Sequence, residues 1–219
     1  MIRRSLVKLN RIKRIIGLAA IGRFDCILWA IKVRAKGLDF SPVSLEDLGF
    51  SRERSVHHSA SGGAYLRQVL RGLAIPKGSR ALDLGSGKGA AACTMAEFSF
   101  EEVVGIELSE RLVRIAESNI RRLNLKNVRF VRADAGWFRE LDPFTHMYMF
   151  NPFPASVIKE VMENLAASLA RKPRELTLIY HNPACDDVVM SSGLFRRDME
   201  MTSPLSHPFY IYVHDVQRS

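Results

Sequence analysis

An acid and three glycines follow one another closely at the end of a short apolar run: Asp83, Gly85, Gly87 and Gly89. From Ala90 onward the chain contains good helix formers and no helix breaker. A strand, a glycine turn and a helix in this order form the first unit of a nucleotide-binding α/β sheet. Glycines let a ligand lie against bare backbone, and the helix N-terminus adds free N–H groups and partial positive charge. The stretch therefore predicts a ligand site at the turn.

Two classes of ligand fit this turn. The spacing from Gly85 to Gly87 and Ala90 matches the dinucleotide fingerprint, and Glu107 lies where a ribose-binding acid is expected. Asp83, however, would bring a carboxylate close to a pyrophosphate. That carboxylate suits a cation instead, such as the ammonium group of an amino acid.

Polar residues follow three later apolar runs, because Glu107, Asp134 and Asn151 each come at or just after a segment that predicts a buried strand. Amphipathic stretches with a helical period lie between most of these runs. Alternating strands and helices indicate a parallel sheet, and ligands of such sheets collect at the carboxyl ends of the strands. We therefore expect these three polar residues near the glycine turn.

The segment Asp-Leu-Gly-Ser-Gly-Lys-Gly, residues 83–89, resembles the first motif of class I S-adenosylmethionine-dependent methyltransferases. In that family the acid and the glycines hold the methionine end of the cofactor, the acid after the second strand accepts from the ribose hydroxyls, and an acid after the third strand meets the adenine amine. Trp137 or Phe138 would then wall the adenine, or would simply be part of the core. The cofactor-binding residues that this resemblance implies are Asp83, Gly85, Ser86, Gly87, Gly89, Glu107, Leu108, Asp134 and Ala135.

The resemblance also implies a catalytic segment, Asn151, Pro152 and Phe153. It is similar to the (Asp/Asn)-Pro-Pro-aromatic motif of methyltransferases that act on planar nitrogens, where the polar side chain and a proline carbonyl accept from the target group. This chain lacks the second proline, so the aromatic residue arrives one position early, and this departure bears on the acceptor atom rather than on methyl transfer itself. The family catalyses by positioning the reactants, without a metal. Tyr148, Tyr180 and His181 are the candidates for a general base, and His181 and Asn182 either contact substrate or only end a strand.

The fold class that the resemblance implies is a three-layer α-β-α Rossmann-like methyltransferase fold, whose mostly parallel seven-stranded sheet has an antiparallel C-terminal strand. We expect a basic, amphipathic helical segment over residues 1–40 and the methyltransferase domain over residues 41–219. Strands are predicted at 81–84, 102–107, 128–131, 145–150 and 175–180, with two extended runs at 193–201 and 208–214. Helices are predicted at 64–73, 90–97, 109–123 and 155–169.

The net charge of +9 has its source in one segment. Residues 1–36 contain ten Lys or Arg and one acid, which is 10 − 1 = +9, and residues 37–219 hold 22 basic and 22 acidic side chains. This segment is an accessory helix with a solvated basic face, a helix on an anionic membrane surface, or a nucleic-acid contact. Three widely separated cysteines indicate reduced thiols in a cytoplasmic protein, which is membrane-peripheral if the segment binds lipid.

The sequence thus favours an S-adenosylmethionine-dependent methyltransferase whose acceptor, a protein side chain or a small molecule, is not identified. One alternative is an NAD(P)-binding Rossmann oxidoreductase that uses the same turn. Another is a non-catalytic cofactor-binding protein that acts through its basic N-terminal arm.

Overall fold

The computed structural model describes residues 26–44, 62–151, 153–203 and 206–216. Seven strands form one sheet in the order β3, β2, β1, β4, β5, β7, β6. Their bounds are Arg80–Leu84 (β1), Glu102–Glu107 (β2), Val128–Arg132 (β3), His146–Phe150 (β4), Leu176–His181 (β5), Arg196–Ser203 (β6) and Ser206–His214 (β7).

Helices connect most of these strands. Residues 26–35 are helical (α1). The others are Ala64–Gly72 (α2), Ala90–Met95 (α3), Glu110–Leu123 (α4), Ala155–Arg171 (α5) and Asp186–Ser191 (α6). Among the described residues, no helix is both long and apolar enough to cross a membrane.

Helix α4 shows how local chemistry sets an element. It begins after Ser109, whose side chain accepts a hydrogen bond from the Leu112 N–H, and Glu110 places negative charge in the first turn. It ends at Asn124, which takes the left-handed conformation at φ 55° that asparagine tolerates better than most residues. These signals are local, which is why the sequence predicts this helix well.

The strand order changes direction between β1 and β4: β2 and β3 lie on one side of β1, and β4 and the later strands lie on the other. Strand β1 pairs in parallel with β2 on one side and with β4 on the other. Strand β7 pairs antiparallel with both β5 and β6. The carboxyl ends of β1, β2 and β4 therefore meet at a topological switch point, which is where open α/β sheets bind their ligands.

Both faces of the sheet are covered. Residues of α2 and α3 pack on one face, as Leu66, Leu70 and Met95 show, each no more than 1% exposed. Residues of α5 and α6 pack on the other face, where Ile158 and Val189 are fully buried. The chain is thus three-layered, as helices on both faces of a mostly parallel sheet must be.

This architecture confirms the predicted fold class, including the antiparallel C-terminal strand. The predicted strands and helices are all present, with ends that differ by a few residues. The sequence missed the short helix α6, which has no side-chain hydrogen bond at its N-cap. Pro152 lies outside the described residues. The division into two domains at residue 40 stays a prediction.

Candidate functional site

The glycine turn is held against the neighbouring strand. The N–H groups of Gly85 and Ser86 both donate to the Ile106 carbonyl, at 3.0 and 2.9 Å. Gly89 has a φ of 83°, and a Cβ there would lie 2.5 Å from a ring carbon of Phe130. Only glycine fits this position, because a side chain would be strained by the backbone and would collide with the ring.

Glu107 joins the turn to the end of β2. Its Oε2 accepts a hydrogen bond from the Gly87 N–H at 2.9 Å, and its Oε1 accepts one from the Ser109 N–H at 2.9 Å. Burial raises the pKa of Glu107, and these N–H groups oppose the rise because they stabilise the charged form. The residue predicted to contact ribose therefore lies directly against the predicted methionine-end turn, and the structure brings the two together in one site.

Asp83 is more deeply buried than the sequence indicates. Its side chain is 2% exposed, and Oδ2 accepts a hydrogen bond from the Ala92 N–H of α3 at 3.1 Å. Burial raises the pKa of Asp83 to about 7, and the nearby Glu107 carboxylate adds to the rise. The carboxylate thus stabilises the first turn of α3, and its contact with a ligand ammonium stays a prediction.

Ser86 carries an orphaned polar atom. Its Oγ is the one buried side-chain oxygen or nitrogen of the described residues that has no hydrogen-bond partner. Such groups are rare in native proteins, since an unmade buried hydrogen bond costs about 1–3 kcal/mol. The position of this hydroxyl in the glycine turn is suited to a hydrogen bond with a polar group of a bound ligand.

The loop after β3 is anchored from the opposite layer. Asp134 Oδ1 accepts from the Gly136 N–H at 2.9 Å, and the Asn164 amide of α5 donates to the Gly136 carbonyl at 2.7 Å. Ala135 is buried in the core, whereas the Trp137 side chain is 72% exposed. Of the two aromatic candidates for the adenine wall, Trp137 is thus the one that is not part of the core, and Phe138 packs against the core.

Asn151 and Asn182 end the adjacent strands β4 and β5. Both have left-handed backbones, with φ values of 37° and 53°, and such residues cluster at functional sites. Phe153 is 9% exposed and belongs to the main core cluster, so its side chain packs inward. The three catalytic assignments stay predictions, and Pro152 lies outside the described residues.

An aromatic stack stands beside Asn151 and Asn182. The His181 ring stacks between Phe209 and Phe150, with ring centroids 3.9 and 4.3 Å away. His181 Nδ1 lies 3.2 Å from the Tyr148 hydroxyl. Burial, with a contribution from the charge of His207, lowers the pKa of His181 to about 3. The ring is therefore a weak base and is packed into the sheet, which favours a strand-terminating role over that of a general base.

Lys88 of the glycine turn has partners that sequence reasoning missed. This lysine is 3% exposed, and its ammonium donates to Asp39 Oδ1 at 2.7 Å and to Ser41 Oγ at 2.9 Å. The Asn119 amide donates to the carbonyls of Asp39 and Lys88, at 2.9 and 3.0 Å. Asp39 and Ser41 are thereby held against the outside of the turn. No spacing rule connects residues so far apart in the chain.

Among the described residues, no group of three or more His, Cys, Asp or Glu is placed to hold a metal ion. The candidate site brings together the N–H groups of the glycine turn, the acids Asp83 and Glu107, and the polar residues that follow β3, β4 and β5.

The sequence pattern of the methyltransferase domain family matches residues 75–203. The chain belongs to this family. The match spans the glycine turn, the acid of β2 and the strand that ends before Asn151. It confirms the interpretation as a class I methyltransferase with S-adenosylmethionine as the cofactor, and it decides against a nicotinamide dinucleotide.

The chain is similar to the release factor glutamine methyltransferase of Buchnera aphidicola subsp. Schizaphis graminum, with 38% identity over 81 residues. That stretch covers 36% of this chain and 28% of the relative, so the chain spans less than a third of the length of the curated relative that it matches.

Solved structures share the fold. An S-adenosylmethionine-dependent methyltransferase from Aquifex aeolicus superposes with a TM-score of 0.54 at 16% identity, covering 68% of this chain and 89% of that one. A variant of MtNAS in complex with S-adenosylmethionine superposes with a TM-score of 0.55 at 17% identity, covering 68% of this chain and 61% of that one. At these identities the likeness shows the fold alone.

Proposed function

We propose that this protein binds S-adenosylmethionine at the glycine turn and transfers its methyl group to an amide nitrogen of a protein side chain. The observation that carries the first half is the hydrogen bond from the Gly87 N–H to Glu107 Oε2 at 2.9 Å. This hydrogen bond joins the glycine turn, which would hold the methionine end of the cofactor, to the acid that would hold the ribose.

The residues present suit the cofactor chemically. A carboxylate has about four acceptor positions, so Glu107, which interacts with the backbone N–H groups of Gly87, Leu108 and Ser109, keeps acceptor capacity for a ribose hydroxyl. Ser86 Oγ offers a buried hydroxyl that has no partner within the described residues. Asp83, whose raised pKa reflects an uncompensated buried charge, would be stabilised by a neighbouring ammonium group. When bound, S-adenosylmethionine supplies a methyl group on a positively charged sulfur.

The carboxyl end of β4 is the proposed acceptor side. Asn151 stands there in a left-handed conformation, and its side-chain amide has an oxygen that can accept from a target NH₂ group. An amide acceptor is supported by Asn151 at the end of β4 and by the similarity to release factor glutamine methyltransferases over part of the chain, whereas Phe153 packs into the core and has no part in the proposal. Holding the acceptor nitrogen in line with the methyl group is the chain's main contribution to the rate.

Calorimetric titration tests the cofactor half. The purified protein is titrated with S-adenosylmethionine, S-adenosylhomocysteine and, as a control ligand, NADH. The first two should bind, and Glu107→Ala should weaken their binding at least tenfold, because hydrogen bonds to a charged group are worth about 1.5–3 kcal/mol. Glu102→Ala is the matched control, since Glu102 lies at the other end of the same strand and pairs with Arg129 on the surface. Equal loss in both variants would contradict the assignment of Glu107.

Transfer of a labelled methyl group tests the acceptor half. The protein is incubated with a cell lysate and methyl-labelled S-adenosylmethionine, and the labelled proteins are digested and sequenced by mass spectrometry. Label on a glutamine or asparagine side chain, lost in Asn151→Ala, supports the proposal. Label only on small molecules, or on oxygen or carbon atoms, refutes the amide acceptor and leaves the cofactor assignment standing.

A further inference from the structure

Helix α1 docks on the domain through one face only. The Trp29 ring stacks on Phe40 with ring centroids 5.8 Å apart, and the Arg67 guanidinium lies 4.6 Å from the Trp29 ring centroid. Lys32, on the edge of this face, pairs with Glu97 at 2.8 Å. These contacts fix which side of α1 points away from the protein.

The opposite face of α1 is apolar and open to solvent. Ile27, Leu28 and Ile31 are 57%, 49% and 58% exposed, and Ile27 and Leu28 precede Ile31 by four and three residues, the spacings that place side chains on one side of a helix. Ala30 and Ala35 are exposed as well. Of the six large hydrophobic side chains exposed in the described part of the chain, three lie on this one helix. Single exposed hydrophobic residues are ordinary, but a group of them rimmed by polar residues marks an interaction surface.

The same helix carries only positive charge. Residues 26–36 contain Lys32, Arg34 and Lys36 and no acid, and Arg34 and Lys36 are exposed. They belong to the segment of residues 1–36 that holds ten basic side chains and one acid, while the rest of the chain is neutral. A partner of this surface must therefore be anionic and must also accept isoleucine and leucine side chains.

We propose that the outer face of α1, formed by Ile27, Leu28 and Ile31, docks on an anionic membrane surface together with the exposed cations Arg34 and Lys36 at the end of the helix. Apolar side chains of a basic amphipathic helix enter the boundary between headgroups and acyl chains, and each nearby cation is attracted to anionic headgroups. A nucleic acid would bind the cations but would leave the isoleucine side chains in water. A second copy of this chain would cover the isoleucines but would bring two strongly basic segments together, which repel each other.

Vesicle sedimentation with the full-length protein tests the proposal. Vesicles of phosphatidylcholine alone are compared with vesicles that also contain phosphatidylglycerol. We expect binding at least tenfold tighter to the anionic vesicles, and a decrease as salt is raised because ions screen the attraction. The double variant Ile27→Asp, Ile31→Asp should lose at least tenfold in affinity. Its thermal midpoint should be unchanged, since both side chains are exposed.

Met190→Asp is the matched control, because Met190 is an exposed apolar residue on α6, away from α1. It should bind vesicles as the unmodified protein does. Absence of binding to anionic vesicles overturns the proposal. Vesicle binding that is undiminished in the double variant also overturns the proposal, because the basic side chains alone would then account for the binding. Tight binding to an RNA or DNA duplex without vesicle binding points to a nucleic-acid partner, and a dimer in sedimentation that the double variant abolishes points to a second copy.

Discussion

The variant Asp83→Asn should gain stability relative to the unmodified protein as the pH rises. The Asp83 carboxyl is 2% exposed, and burial raises its pKa from 3.8 to about 7. Below the lower value the carboxyl is protonated in both the folded and the unfolded chain. Between the two values the unfolded chain has lost the proton that the folded chain keeps, so the free energy of unfolding falls as pH rises, by about 1.4 kcal/mol per pH unit.

The two pKa values set the size of the effect. Between pH 5 and pH 8 the buried carboxyl of the unmodified protein should lose about 2.5 kcal/mol of stabilisation, since the loss stops once the folded carboxyl ionises near pH 7. The introduced amide cannot ionise, so Asp83→Asn gains that amount relative to the unmodified protein over the same interval. At pH 5 the two proteins should be similar in stability, because the folded Asp83 carboxyl is protonated there and the asparagine carbonyl oxygen can accept the same hydrogen bond from the Ala92 N–H.

The free energies of unfolding of the variant and of the unmodified protein are measured at pH 5 and pH 8 by urea unfolding, followed by far-UV circular dichroism. Asp142→Asn is the control: hydrogen bonds from Ser168 and Arg171 lower the pKa of Asp142, so its stabilisation is lost only when pH falls below the usual range of a carboxyl. The stability difference between that variant and the unmodified protein should therefore stay constant from pH 5 to pH 8. A constant difference for Asp83→Asn as well would refute the reasoning that Asp83 is an uncompensated buried charge.

Three further predictions concern the packing around the turn and the contact of Trp137 with the cofactor. Gly105→Ala would place a Cβ 2.5 Å from a ring carbon of Phe130 and should cost about 1–3 kcal/mol in urea unfolding, whereas Gly72→Ala, which meets nothing within 4 Å, should cost none; equal effects would contradict the collision. Asn119→Ala removes the amide that fastens the N-terminal segment to the turn and should cost about 1–3 kcal/mol, and a loss below about 0.5 kcal/mol would show that water replaces it. In the variant Trp29→Phe, Trp137 is the one remaining tryptophan, and binding of S-adenosylhomocysteine should change its fluorescence because the exposed ring would be covered by the adenine. An unchanged emission spectrum at saturation would show that Trp137 does not contact the adenine.

Most of the fold could be predicted because its signals are local and repeated. The strand predicted at 102–107 has the observed ends, since a buried parallel strand is a short apolar run with polar residues at its borders. The helix over Glu110–Leu123 has a capping serine before it and an asparagine after it. Helix α6 was not predicted because its six residues are too few to show a period and its N-cap carries no capping side chain.

The sequence predicted which residues belong to the candidate site, but not the hydrogen bonds and packing contacts that they make. The sequence indicated that Asp83, Glu107 and Asn151 lie near the carboxyl ends of strands of one parallel sheet, and the structure places Asp83 one residue before the end of β1, Glu107 at the end of β2 and Asn151 directly after β4. The sequence could not indicate that an Asp83 oxygen would be used by the Ala92 N–H, or that Phe153 would point into the core. Both depend on how a helix packs against the sheet.

Local sequence was enough to establish the class of fold, the glycine turn and the family, because each follows from residues that are neighbours along the chain. Tertiary packing set the partners of Lys88, which lie at residues 39 and 41, and the burial that raises the pKa of Asp83. It also set which face of α1 is left open, since Trp29 is turned inward by Phe40 and by Arg67. The physical reason is that solvation and pairing depend on distance in space, and distances between residues far apart in the chain are fixed only when the layers pack.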